Sequence, residues 1–116
     1  MTRKHSSAAA KLVEAAPIFA ALGDATRLRI VLRLCGEGPL SIVRLADGAK
    51  VTRQAIAKHL QVLEEVGLAR GLRNGRECIW ELRTKQLGEM QHYLDEISLQ
   101  WDEALSRLRA FVEDQE

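Results

Sequence analysis

Two short helical patterns stand almost back to back in the middle of this chain. The first, "SIVRLADGA", opens on Ser41, whose hydroxyl suits an N-cap, and turns Ile42 and Leu45 inward. The second, "VTRQAIAKHLQVLEEVG", follows after about four linking residues. Thr52 is its expected N-cap, Ile56, Leu60 and Leu63 its apolar stripe, and Gly67 its stop. Two short helices joined by so tight a link, the second one basic at its front, describe a helix-turn-helix unit.

The front of the second helix is chemically unusual. Arg53, Gln54 and Lys58 stand off the apolar stripe near the N-terminal end, and acids appear only later, at Glu64 and Glu65. A helix dipole is already positive at that end and prefers acids there. A helix that places cations and amides at its front instead expects an anion from outside. Net charge points the same way once divided. Residues 1–83 carry 14 cations against eight acids, a balance of +6, and residues 84–116 carry three cations against eight acids, a balance of −5. A basic body with an acidic tail implies a polyanionic partner for the body.

The segment "LARGLRNGRECIWEL" (residues 68–82) changes from helical to alternating character. Asn74-Gly75 is a strong hairpin signal, because a two-residue type I′ loop needs positive φ at both positions. Such a loop sets Arg73 opposite Arg76. That repulsion is tolerable if the tip meets phosphate, if it is well solvated, or if the loop is longer. Upstream, residues 8–22 are Ala-rich and helical in propensity, with Pro17 either kinking the helix or beginning a second one. A further helix starts from Asp24 as N-cap. Leu28, Val31, Leu32 and Cys35 recur along it at i, i+3, i+4, i+7 as one buried stripe, and Gly36 and Gly38 stop it. Downstream, Leu87, Met90, Leu94, Ile97, Trp101, Ala104, Leu108 and Val112 form a near-heptad seam on one long helix from Thr84. That stripe runs about 38 Å at 1.5 Å per residue. It is longer than the core of so small a domain needs, which favours a second copy of the chain over packing within one.

The length of 116 residues suits one domain. Aromatics make up 4%, so the core is aliphatic, as in helical folds. No apolar run reaches the length of a membrane span, and "MTRKHSS" has no hydrophobic run behind it to make a secretory signal. Cys35 and Cys78 do not form a disulfide framework, so a cytoplasmic setting is expected. The expected layout is a mobile N-terminal tail over residues 1–7, a helix-turn-helix domain over residues 8–83 and a dimerisation helix over residues 84–116, packed on the same domain.

Three fragments, "ALGDATRLRIVLRL", "LADGAKVTRQAIAKHLQVLEEVGLA" and "NGRECIWEL", stand in this order and spacing. Over residues 17–83 the chain resembles the ArsR/SmtB family of winged-helix transcriptional repressors. "KHLQVLEEVGL" is similar to that family's typical "HHLKVLREAGL". The resemblance implies a mainly α fold, a winged helix-turn-helix with a two-stranded β-hairpin wing and a long C-terminal dimerisation helix. It also implies a homodimer that binds double-stranded DNA at an imperfect palindrome. The helix from Thr52 enters the major groove, with Arg53, Gln54, Ala57 and Lys58 on its exposed face. Arg pairs bidentately with guanine and Gln with adenine. Thr52 and the first-turn amides suit a phosphate. Arg73, Asn74 and Arg76 on the wing reach backbone or minor groove. The dimer interface draws on Leu87, Met90, Leu94, Ile97, Trp101 and Leu108. His59 packs at the rim of its helix, and Gln61 and Glu64 are solvated.

The family often senses metals, and here the chain departs from it. Where the family's familiar site reads "ELCVCDLA", this chain reads "PLSIVRLA", so Ser41 and Val43 stand in place of two cysteines. Val cannot ligate, and a Ser hydroxyl is a poor ligand for soft metals. The terminal helix has one histidine, His92, with no second to pair with it. No metal and no cofactor are expected. Cys35, on the apolar stripe, is expected to be buried and inert, and Cys78, sharing strand parity with Trp80, to lie under the wing. A different class of function, a winged-helix module that binds a protein partner through its acidic C-terminal helix, is the alternative to DNA binding. Catalysis has no support, because no Gly-rich phosphate loop, metal quartet or nucleophile–base set is recognisable.

Overall fold

The computed structural model describes residues 3–114. Along the chain come α1 (Arg3–Glu14), α2 (Ala16–Leu22), α3 (Ala25–Glu37), β1 (Leu40–Ser41), α4 (Ile42–Ala46), α5 (Arg53–Glu65), β2 (Ala69–Asn74), β3 (Glu77–Leu82) and α6 (Thr84–Asp114). Two compact units result, residues 16–87 and residues 1–15 with 88–116.

In the unit of residues 16–87 the starts of α3, α4 and α5 are fixed by the caps their sequence announces. The Asp24 carboxylate accepts from Arg27 N at 2.9 Å, Ser41 Oγ from Arg44 N at 3.2 Å, and Thr52 Oγ1 from Ala55 N at 3.1 Å. Gly67, at φ +80°, ends α5, and Leu68 N donates back to Leu63 O at 2.9 Å. The core joins Ile56, Leu60 and Leu63 of α5 to Leu45 of α4, Leu34 of α3 and Trp80 of β3. Ile42 packs against it from α4.

The inward face of α3 differs from the expected one. Ile30, Val31 and Leu34 are buried, whereas Leu28 is 40% and Leu32 61% exposed and Cys35 is exposed as well. Both faces satisfy a 3–4 spacing. The true one is led by Arg27, a charged residue that masks the apolar pattern while its guanidinium is held by other groups.

The wing is present but differs in register and in strand number. β2 and β3 are antiparallel, with Arg73 opposite Cys78 and Asn74 opposite Glu77, so the two loop residues are Gly75 and Arg76. Gly75 has φ +66°, and no non-glycine residue has positive φ among those described. Positive then negative φ belongs to a type II′ turn, not to the expected type I′. The Arg73–Arg76 cross-strand pair therefore does not form. A third strand, β1, pairs with β3 through Leu40↔Trp80 and Ser41↔Ile79, and the sheet order is β1-β3-β2.

In the other unit, α1 begins at Arg3 rather than at Ala8, so residues 3–7 of the expected tail are helical. Met1 and Thr2 lie outside the described residues. No breaker precedes the alanine run to stop the helix. In the unit of residues 16–87, α2 begins at Ala16, so Pro17 sits in its first turn, where a missing N–H costs nothing. On α6, Met90 is buried, while Leu94, Trp101, Leu105, Leu108 and Phe111 are exposed. No helix among the described residues is long and apolar enough to cross a membrane.

Candidate nucleic-acid interface

α5 presents its front to solvent. Thr52, Arg53, Gln54 and Lys58 are exposed and Ala57 is half-buried, on the side away from Ile56 and Leu60. No acid lies in the first turn. Thr52 Oγ1 takes the Ala55 amide and Thr52 O takes that of Ile56, leaving the amides of Arg53 and Gln54 without a partner inside the helix. Two unpaired N–H groups, a positive dipole end and two exposed cations converge on one small area, an arrangement suited to phosphate beside a polar base edge.

Two arginines that pattern reading passed over hold the helix pair, Arg33 through α4 and Arg27 through α5. Arg33 of α3 donates from Nη1 to Arg44 O at 3.1 Å and Leu45 O at 3.2 Å, tying up carbonyls at the end of α4. Its Nε donates to Glu37 Oε2 at 2.7 Å. That bond holds the Glu37 carboxyl below its usual range and raises the Arg33 guanidinium above its own. Arg27 donates from Nε to Ala21 O at 2.8 Å, and its Nη1 lies 3.3 Å from His59 Nδ1 on α5. Asp24 Oδ2 lies 3.8 Å from the same ring nitrogen. The Arg27 amide, with smaller help from nearby positive charge, keeps the Asp24 carboxyl below its ordinary value. His59 is thus a partly buried tether at the helix rim, as expected, with a bonded partner that sequence could not name. Glu64 is exposed, as expected, and its Oε2 also accepts the Gly71 amide at 3.3 Å, which links α5 to β2.

On the wing, Arg73, Asn74 and Arg76 are exposed around the turn. Arg70 is committed elsewhere, its Nε donating to Glu81 Oε1 at 2.6 Å across the β2–β3 pair.

The residues expected at a dimer interface fall into two groups. Leu87 packs against the core of residues 16–87, and Met90 is 6% exposed, so the chain itself already covers both. Ile97 is half-buried, and Leu94, Trp101 and Leu108 are 47%, 65% and 58% exposed.

The residues that stand at the family's two familiar metal positions have other surroundings. Ser41 is buried with its hydroxyl engaged by the Arg44 amide, and Val43 is half exposed. His92 Nε2 lies 2.9 Å from Glu96 Oε1, one turn away on α6. Among the described residues no three His, Cys, Asp or Glu side chains cluster. Cys78 is half-buried behind Gly71.

Comparison with known proteins gives the same reading. Residues 22–71 match the family model described as a helix-turn-helix domain. The HTH-type transcriptional regulator Rv2034 of Mycobacterium tuberculosis is 35% identical over 74% of this chain and 77% of its own length. An ArsR-like transcriptional regulator from Rhodococcus sp. RHA1 superposes with a TM-score of 0.76 at 35% identity, over 88% of this chain and 95% of its own. The solution structure of a homodimeric winged helix-turn-helix DNA-binding domain from Mycobacterium bovis, a possible ArsR-family regulator, shares the fold at 22% identity, with a TM-score of 0.60 over 85% of this chain and 88% of its own. A chain that matches such a regulator at a third of its residues over nearly that regulator's whole length, and folds as it does, belongs to the ArsR/SmtB family of DNA-binding winged helix-turn-helix transcriptional regulators.

Proposed function

We propose that the protein acts in the cytoplasm as a homodimeric repressor that recognises an imperfect palindrome. The observation that carries this reading is the front of α5. It is free of acids, has two unpaired amides, and exposes Arg53, Gln54 and Lys58 on a helix braced from behind by Arg27. Arg53 and Gln54 read base edges in the major groove, and Ala57 and Lys58 complete the contact surface. Thr52 and the first-turn amides take a phosphate, and Arg73, Asn74 and Arg76 follow the backbone or minor groove from the wing.

Dimerisation is supported by the exposed apolar side chains of α6, Leu94, Trp101 and Leu108 foremost, and by the homodimeric state stated for the Mycobacterium bovis domain. A two-fold dimer sets two α5 helices about 34 Å apart, one turn of B-DNA, which calls for a palindromic operator. Covering that operator blocks transcription from an overlapping promoter.

Selection of bound duplexes from a random pool is the test. Enrichment of two inverted half-sites one turn apart is the expected result. Enrichment of a single half-site, or of nothing above the input pool, overturns the reading.

A further inference from the structure

A cavity of about 590 Å³ opens between α3, the turn of residues 47–51 and the start of α5. Arg29, Asp47 and Lys50 on its wall have no part in the contacts assigned above. Its size falls within the range of small organic ligand sites. Its floor is apolar, made by Ile30, Leu45 and Ile56, all buried, together with the half-buried Val51.

The charges around it are unequal. Arg33 reaches the cavity, but its guanidinium is already bound to Glu37 and to the α4 carbonyls. Arg29 and Lys50 are exposed at the wall, and neither makes a side-chain hydrogen bond or ion pair among the described residues. Asp47 is the sole acid in the lining. Two uncommitted cations against one carboxylate leave one positive charge above an apolar floor. That combination suits a ligand with one negative charge and an apolar body, since a neutral apolar molecule leaves the cations unused and a dianion meets Asp47.

We propose that this cavity binds an amphipathic organic monocarboxylate, its charge between Arg29 and Lys50 and its body on Ile30, Val51 and Ile56, and that occupancy weakens DNA binding. The second half rests on the function proposed above. Lys50 stands two residues before Thr52, the cap of the DNA-facing helix, so a carboxylate held by Lys50 lies near the phosphate that Thr52 and the first-turn amides would take and repels it. It also fixes the 47–51 turn from which α5 starts.

The probe is 2-naphthoate, with the neutral 2-naphthamide as control, titrated into the full chain without DNA and followed by methyl NMR. Saturable shifts at Ile30, Leu45, Val51 and Ile56 are expected. Binding should weaken about tenfold for the amide and about threefold in Arg29→Ala and in Lys50→Ala, both exposed positions where folding is not at stake. Equal binding of acid and amide, shifts confined to α6, or no saturation at millimolar probe overturns the site. In a separate anisotropy titration with the selected duplex, 2-naphthoate should raise the apparent Kd in proportion to occupancy. Unchanged DNA affinity at full occupancy overturns the regulatory half. Because occupancy is read without DNA, failure of the DNA-binding reading and failure of the site give different results.

Discussion

Arg27 Nη1 lies 3.3 Å from His59 Nδ1, and through that contact the N-terminal turn of α3 holds the middle of α5. The geometry requires Nδ1 to accept, so the ring carries its proton on Nε2 when the bond is made. The same guanidinium donates to the Ala21 carbonyl at 2.8 Å, so one side chain joins α2, α3 and α5. Arg27→Ala should therefore destabilise the fold by about 1–3 kcal/mol, the cost of leaving a partly buried acceptor unpaired. Arg27→Lys should recover little, because an ammonium cannot reproduce the forked geometry. Urea unfolding of the three proteins checks both points.

Alongside Glu37, Asp24 contributes to the pH dependence. Its folded carboxyl titrates below the ordinary value of 3.8, chiefly because the Arg27 amide donates to the charged form. A lowered folded pKa means that stability is present in full above the unfolded pKa and is lost as pH falls through the folded one. The wild type should thus lose stability below about pH 4. Asp24→Asn keeps a capping oxygen but not the charge, so its stability should depend less on pH over that range. Parallel denaturant midpoints from pH 5 to pH 2 decide this, and equal slopes for the two proteins would contradict it.

Gly71 has no room for a side chain. A Cβ there would stand 2.8 Å from Cys78 Sγ and 3.2 Å from the Trp80 ring. Gly71→Ala should cost about 1–3 kcal/mol by overpacking. Cys78→Ala removes the nearer obstacle, so the double variant should lose less than the sum of the two single ones. A double-mutant cycle measures that coupling.

The front of α5 and the wing should leave different signatures on DNA binding. Gln54→Ala should weaken the preferred site by about 1–3 kcal/mol and relax base preference at one position. Arg73→Ala should weaken all duplexes alike and lower the salt slope by about 0.9. A relaxed base preference in Arg73→Ala, with its salt slope unchanged, would assign the wing a different role.

How much of this was legible in advance depended on whether a residue acts through its own pattern or through a distant partner. Ile56, Leu60 and Leu63 form a clean stripe with caps at both ends, and the structure buries all three. The inward face of α3 was misread because its first position is Arg27, whose burial makes sense only once His59 is beside it. The turn was misplaced by one residue, because Asn74 stays in β2 opposite Glu77 and Gly75 alone takes positive φ. β1 has two residues, too few for any period to register. The bond that the exposed Glu64 accepts was not legible, because the Gly71 amide comes near only after the hairpin folds back.

Assembly provides the last test, through Trp101 and Ile97. Trp101 is 65% exposed in the single chain, a large apolar cost that the proposed dimer would remove. Ile97, four residues earlier, is already half-buried. Trp101→Ala should weaken the dimer by about 2 kcal/mol or more, as expected for an aromatic anchor. Ile97→Leu conserves volume and should change it by less than about 1.5 kcal/mol. Trp101 also reports on its own burial. Trp80 is buried within residues 16–87, so a blue shift of the emission on raising protein concentration should come from Trp101 and vanish in Trp101→Phe. Sedimentation at micromolar concentration gives the stoichiometry. A wild-type monomer that binds the palindrome with full affinity would remove the α6 interface from the mechanism.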